Sequence, residues 1–469
     1  MMPITHSESP LLPSGLNLDD VAEALQANGD RPSRQLTGIS TDSRTIAKGY
    51  LFVAITGDRF DGHDFIPAVA RQGAAAAVVS ADVTDAAGLP LIRVEDTLIA
   101  LGKLGNLCRK MSQAHVLAIT GSNGKTTVKN FVSSLLQLFG PVTSSPLSYN
   151  NNIGVPLTIF SSRQNDQWLI LEMGTNHFGE LHDLAAIAEP DVAVITNIGE
   201  THLEFLGDKN GVARAKGELI ESLQPGDTAV LNADDPFLPI LMAHTGARVL
   251  TFGTSTNADI CASDIEPSPR GLRFRINGSL MTELAVPGRY NVHNALAAIG
   301  AGYAYGLPLN EMVEAVPEFR LPKLRMQTER IGPVQVVLDA YNANPTSMSH
   351  ALEEFSRWPV SGRRLIILGE MGELGQASRN SHQRIGEQVA QYEFDLLFSV
   401  GQDAAHLHRS AIDAGVHSGN ATHFENTLEA AEAISGHIRP GDTLFLKGSR
   451  SNGLEKVADQ LRNHFGGSS

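Results

Sequence analysis

Four apolar runs of strand length recur along the middle of the chain: VLAIT (116–120), QWLILEMG (167–174), DVAVITNIG (191–199) and DTAVLNADD (227–235). Each is followed by a loop and a stretch of helical spacing. The runs are continuously apolar and do not alternate, so both faces of each strand must be covered. That requires a parallel sheet with helices on its two sides. The flanking regions repeat the rhythm. LFVAIT (51–56) and AAAVVS (75–80) are strand-like, and DDVAEALQANG (19–29) has helical spacing ending on Gly29. Beyond PEFRLPKLR (317–325), where Pro and basic residues interrupt the pattern, come VQVVLDAYN, RRLIILGEMG, DLLFSVG and DTLFLKGS.

The expected fold class is therefore α/β with three α/β domains: 1–112, a central phosphate-loop parallel-sheet domain at 113–327, and a Rossmann-like C-terminal domain at 328–469. A chain of 469 residues with 42% apolar and 19% charged residues has material for a core in each. The net charge of −15 argues against a nucleic-acid partner, because such binding draws on Lys and Arg neutralising phosphates. Cys108 and Cys261 stand far apart without a CxxC spacing, which suggests neither a disulfide framework nor a zinc site. With no leader-like or membrane-spanning run in view, a cytoplasmic protein without membrane insertion is expected, working as a monomer.

The segment AITGSNGKTTVKNF (118–131) joins a buried strand to a helix, the setting in which a Gly-rich loop cradles phosphates. Gly121 and Gly124 let backbone N–H groups turn inward, flanking Ser122 and Asn123. Lys125 brings charge to the terminal phosphates, and Thr126, followed by Thr127 at the helix N-terminus, offers a hydroxyl to Mg²⁺. The phosphate-loop pattern of nucleotide triphosphatases has Gly where Ile119 stands, so the loop is a variant. Glu172 closes one strand and His202 follows another; both should emerge at the carboxyl edge of the sheet near the loop. Spacing alone makes Lys216, in GVARAKGELI, a solvated helix lysine.

The ordered set ITGSNGKTT, YNNNIGVPLT, LEMGTNHFGE, TNIGETH, ARAKGE, YNVHNALAA, DAYNANPTSM, LGEMGELG and KGSRSNG, with STDSR (40–44) and GDRFDGHDF (57–65) before it, resembles the Mur ligases. These enzymes assemble the peptide of bacterial peptidoglycan. Within the family, DAYNANP, YNNNIGVPLT and EMGTNHFGE resemble the type that joins D-alanyl-D-alanine to UDP-N-acetylmuramoyl-tripeptide. The resemblance implies ATP and Mg²⁺ as cofactors, those two small-molecule substrates, and an acyl phosphate formed on the tripeptide carboxylate. It also assigns roles. Lys125 and Thr126 would engage phosphates and metal, and Glu172 and His202 would complete the metal site. Lys216 would become a carbamate, and Asn294 would meet adenine. Arg325 and Asp339 would reach the phosphates and ribose. Ser43, Arg44, Asp61 and His63 would hold the uridine end, and Asn151 and Asn152 the muramoyl-peptide. Asn342, Asn344 and Pro345, with His382, Lys447 and Ser449, would lie near the incoming dipeptide.

Two rival readings are weaker. A family member adding the third amino acid would carry DNPR-like and DYAH-like segments, and here DAYNANP stands in place of the latter. A guanine-nucleotide switch would carry an N-K-x-D-like reader, which the chain lacks.

Overall fold

The computed structural model describes residues 15–27, 34–57 and 60–466. Gly29 and the Asp58–Arg59 pair of the GDRFDGHDF segment lie outside the described residues. Three sheets follow one another along the chain. The first is parallel, with Gly38–Ser40, Tyr50–Val53, Ala76–Val79 and Leu91–Arg93 in chain order.

The second has nine strands and carries the phosphate loop. His115–Thr120 lies between Trp168–Glu172 and Val192–Ile195, so the three loops leaving these strands emerge side by side. Val116 to Ile119 are 0% exposed, as a strand covered on both faces must be. Val116, Leu117 and Ile119 each contribute roughly 1.5–3 kcal/mol on burial. Helices Lys125–Leu136 and Tyr290–Ala304 cover one face. Gly154–Phe160, Glu180–Ala188 and Lys209–Glu221 cover the other. Helix Thr97–Met111 packs there too, and one continuous core runs from it into the first sheet.

The sheet is not wholly parallel. Beyond Ile260–Ser268 it continues antiparallel through Gly271–Ile276 and Leu280–Leu284. In these edge strands buried and solvated residues alternate, the pattern of a sheet with one wet face. Asn277 and Gly278, both at positive φ, close the hairpin.

The third sheet runs Gln327–Ile331, Val334–Asp339, Thr443–Lys447, Arg364–Gly369, Leu396–Val400, Ala421–Phe424. Only its first pairing is antiparallel. Asp339 and Lys447 end neighbouring strands in register. Elements around the third sheet dock on loops of the second: Asn344 Nδ2 donates to Asn123 Oδ1 at 2.7 Å, and Arg384, in helix Ser378–Val389, pairs with Glu200 at 2.8 Å.

Candidate active site

The phosphate loop owes its shape to two glycines. Gly121 has φ +143°, and a Cβ there would sit 1.8 Å from Thr196 Oγ1. Gly124 has φ +85°, and a Cβ would sit 2.4 Å from Asn294 Oδ1. Any larger residue would collide at both positions while adopting a left-handed backbone. The turn is fastened from the neighbouring strand: Ser122 N–H donates to the Asn197 carbonyl at 2.9 Å, and Asn123 N–H to Asn197 Oδ1 at 3.1 Å. Ser122 Oγ exchanges bonds with Gly199. Helix Lys125–Leu136 then begins, and its first-turn N–H groups have no intrahelical acceptor, which makes an anion seat. Lys125 Nζ folds back onto the Gly121 carbonyl at 2.8 Å.

A cavity of about 740 Å³ opens between this loop and the third sheet. Ser122, Asn123, Gly124, Lys125, Thr127 and Asn294 line one wall; Asp339, Asn342 and Lys447 line the opposite one, and Arg325 lines it too. Residues separated by two hundred positions thus share one chamber. Asn294 is 7% exposed, with Nδ2 donating to Asn291 Oδ1 at 2.8 Å and Oδ1 turned to the loop. Asp339 accepts from Lys447 Nζ at 2.6 Å. Arg325 Nη2 donates to Thr126 Oγ1 at 3.1 Å, and its guanidinium lies 4.6 Å from the Tyr341 ring centroid.

Behind Lys125 lies a second group of charged side chains. Glu172 is 1% exposed; its Oε1 accepts from Asn150 Nδ2 at 3.1 Å, and its Oε2 lies 3.3 Å from Lys129 Nζ. His202 Nδ1 meets Glu373 Oε2, from the third domain, at 2.6 Å. Both partners of this pair have left-handed backbones, with φ of +53° and +59°. That strain costs about 1–3 kcal/mol at each residue and persists only where surroundings enforce it. Burial holds the His202 ring below its usual range, and Lys125 and Lys216 add to this, with the Glu373 carboxylate opposing them. Burial likewise lowers Lys125, which feels Glu172, Arg325 and Glu373. Lys216 is not solvated. It is 0% exposed, and its Nζ has no hydrogen-bond partner among the described residues. Burial, then Lys125, push it well below the ordinary lysine value.

Among the described residues no three His, Cys, Asp or Glu side chains converge on a metal position. One hydroxyl and one carboxylate, Thr126 and Glu172, nonetheless suit Mg²⁺, which keeps several waters and takes further oxygens from phosphates. His202 and Lys216 fit a second Mg²⁺ only once Lys216 bears an anionic carbamate, for which its orphaned buried amine leaves a site.

The structure redistributes the remaining sequence-predicted residues. Ser43 and Arg44 sit on an exposed loop of the first domain, Arg44 paired with Asp42 at 2.6 Å. His63 is 8% exposed and has both ring nitrogens engaged: Nδ1 lies 2.6 Å from Asp61, and Nε2 accepts from Ser80 N–H at 3.0 Å. Its geometry is that of a fastening for the loop, with Asp61 presented at the surface. Asn151 and Asn152 are exposed beside Glu172's partner Asn150, and Asn151 Oδ1 accepts from Gly154 N–H at 2.9 Å. Asn342 and Lys447, expected near a dipeptide, line the same cavity as the phosphate loop. Asn344 caps helix Pro345–Ser356 and bridges to Asn123. His382 is 0% exposed and accepts from Met371 N–H at 3.1 Å; Ser449 Oγ accepts from Gly372 N–H at 2.7 Å. Both therefore hold the loop that carries Glu373, and both are buried.

Sequence reasoning passed over Lys129, Asn150, Tyr341 and Glu373. One signal was available: Lys129 follows Lys125 by four residues, which on a helix puts both on one face. Pairing of Glu373 with His202 has no local signal, because it depends on how two domains dock.

Three family descriptions match in order: "Mur ligase family, catalytic domain" at 35–108, "Mur ligase middle domain" at 119–302, and "Mur ligase, glutamate ligase domain" at 324–450. The chain is 31% identical to the UDP-N-acetylmuramoyl-tripeptide–D-alanyl-D-alanine ligase of Bacillus subtilis, covering 95% of this chain and 97% of that one. It is 33% identical to the Escherichia coli protein of the same name, covering 93% and 96%. A crystal structure of MurF from Acinetobacter baumannii superposes with a TM-score of 0.88 at 29% identity, over 97% of this chain and 100% of that one. The Thermotoga maritima MurF ligase in complex with ADP gives 0.81 at 25% identity, over 92% and 98%. With these matches spanning more than nine-tenths of its length, the chain belongs to the Mur ligase family.

Proposed function

We infer that this chain is an ATP-dependent ligase joining D-alanyl-D-alanine to UDP-N-acetylmuramoyl-tripeptide in peptidoglycan precursor synthesis, with release of ADP and phosphate. The observation that carries the reading is the shared cavity: a phosphate loop on one wall faces Asp339, Arg325 and Lys447 on the other, in a chain whose relatives bear that name. The nucleotide lies along Gly121, Ser122, Asn123, Gly124, Lys125, Thr126 and Thr127, with adenine toward Asn294 and ribose toward Asp339. Lys125 leaves the Gly121 carbonyl for the terminal phosphate.

The tripeptide carboxylate attacks the terminal phosphorus, and the bond to ADP breaks. The dipeptide amine then attacks the resulting acyl carbon. The carbon–phosphate oxygen bond breaks, phosphate leaves, and the ammonium proton is lost. Catalysis is mostly positioning and charge stabilisation, where one well-placed donor contributes about 10²–10³ in rate. Lys125 and Arg325 offset charge at the transferring group. Thr126 and Glu172 would hold a Mg²⁺, which would supply Lewis-acid stabilisation to the phosphates. Lys216, displaced toward its neutral and nucleophilic form, would add to carbon dioxide and release a proton to give a carbamate, whose carboxylate with His202 would hold a second Mg²⁺.

The domains at 1–112, 113–327 and 328–469 divide the work. The first takes the uridine diphosphate end against Ser43, Arg44 and Asp61, with His63 bracing the loop; Asn151 and Asn152 meet the muramoyl-peptide. The third brings the dipeptide, with Asn342 and Asn344 at its border with the nucleotide. Among the described residues no helix is long and apolar enough to cross a membrane, and Cys108 and Cys261 are free, which supports a cytoplasmic location.

Purified enzyme with ATP and Mg²⁺ should release phosphate only when both tripeptide precursor and D-alanyl-D-alanine are present. Release with the dipeptide precursor and a free diamino acid, but not with that pair, would overturn the assignment.

A further inference from the structure

Lys129 takes no part in these steps, yet it is among the most buried charged groups described. It lies one helical turn beyond Lys125, is 2% exposed, and stands 3.3 Å from Glu172 Oε2, itself 2% exposed as a side chain. Taking both charges out of water costs several kcal/mol per ion, and a hydrophobic pair of equal volume is often as stable or more so. Stability of the fold is thus a weak reason for a lysine here. Its second contact is more informative: Nζ donates to the backbone carbonyl of Leu147.

Leu147 has φ +49°, and its side chain is 72% exposed. The chain turns its carbonyl inward at the expense of a left-handed backbone and an apolar side chain in water. The rest of the loop converges on Glu172 as well. Glu172 N–H donates to Ser145 Oγ at 3.1 Å, and Asn150 Nδ2 donates to Glu172 Oε1 at 3.1 Å. On its outer side the loop meets the third domain, where Ser148 Oγ and Tyr341 OH are hydrogen-bonded. Tyr341 in turn lies under Arg325, which reaches Thr126 of the phosphate loop.

We propose that Lys129 is a positioning residue that ties the 145–152 loop to Glu172, and that Tyr341 seats the third domain on the same loop, coupling precursor binding to domain closure. The proposal rests on the reading that Asn151 and Asn152 meet the precursor. Lys129 holds the loop at the Leu147 carbonyl, Tyr341 holds it at Ser148, and the two asparagines follow further along the same loop.

Calorimetric titration of the full chain with UDP-N-acetylmuramoyl-tripeptide, and separately with ADP, tests this without turnover. Lys129→Met should weaken precursor binding by about tenfold or more, the scale of a lost hydrogen bond to a charged group. ADP binding should stay within about twofold, because the cavity wall is untouched, and Lys129→Arg should recover part of the loss. Tyr341→Phe, which keeps the ring beneath Arg325, should weaken precursor binding by about three- to tenfold. Unchanged precursor affinity in Lys129→Met overturns the proposal. So does an equal loss of both ligands with a lowered Tm, which marks a merely structural lysine. Should Lys129→Met not fold, Tyr341→Phe decides, and unchanged precursor affinity there overturns it. A double Asn151→Ala, Asn152→Ala variant with wild-type precursor affinity would instead remove the loop assignment on which the proposal rests.

Discussion

Replacing Lys216 by Met should stabilise the nucleotide-free protein while removing activity. Lys216 lies in helix Lys209–Glu221 at 0% exposure, with Nζ lacking any hydrogen-bond partner among the described residues. An unsatisfied buried polar group costs about 1–3 kcal/mol. Met has similar length and no polar atom, so that cost disappears. For a cooperative unit of about 150–250 residues each kcal/mol moves Tm by about 2–4 °C. The gain should depend on pH in a definite sense. Burial and Lys125 depress the Lys216 pKa, whereas the unfolded lysine titrates near about 10.4. Below that pH the unfolded wild type binds the extra proton, so wild-type stability rises with pH through the window and the advantage of Met shrinks. Scanning calorimetry in carbon-dioxide-depleted buffer, at pH values from about 7 to about 10, reads both effects. Added bicarbonate should raise the wild-type Tm alone, because only the wild type can form the carbamate. A Lys216→Met protein less stable than wild type at neutral pH, with a pH-independent difference, would refute the claim that this amine is an uncompensated load kept for chemistry.

Arg325→Ala should lower kcat by about 10²-fold or more and leave ADP affinity within a few-fold, since Arg325 bridges the third domain to Thr126; equal losses would exclude a closure role. His382 is neutral by necessity, because Nε2 accepts from Met371 N–H, and burial holds its pKa below 6.5. Its stabilisation is present above the unfolded value of about 6.5 and lost as pH falls through the lower folded value. The wild-type Tm should therefore drop more steeply on acidification than that of His382→Gln, whose amide oxygen can still accept that bond. Cys108, 1% exposed and with its thiol pushed up to about 12, should resist thiol reagents at neutral pH, while Cys261 reacts. A thiol count should give one equivalent in the native protein and two in denaturant; two in the native state would contradict the packing of helix Thr97–Met111.

The α/β class, the strands around the phosphate loop and the anion seat at Lys125 are local properties. Continuous apolar runs demand a doubly covered sheet, and Gly121 and Gly124 permit a turn that no other residue could make, so reading the chain in order was enough. Glu172 ends its strand as expected, and His202 follows Val192–Ile195 at the head of helix Leu203–Leu206, because a parallel sheet delivers every strand end to one edge. The antiparallel extension at 260–284 was missed, though its Asn277–Gly278 turn and alternating pattern were present in the sequence.

Other roles had no local basis. Periodicity makes Lys216 a solvated lysine, and only the packing of its helix against the sheet strips its amine of water and partners. Lys129 reads as one more polar residue on an amphipathic helix until Leu147 and Glu172 close around it. Asn342 and Lys447 line the cavity opposite the phosphate loop because Asp339 and Lys447 end adjacent strands, which is a matter of strand order. Sequence by itself determined the elements and the loop chemistry, since both depend on neighbours within a few residues. Tertiary structure alone decided which charges lose their solvent and which partners they then meet, because desolvation and pairing depend on groups brought together from opposite ends of the chain.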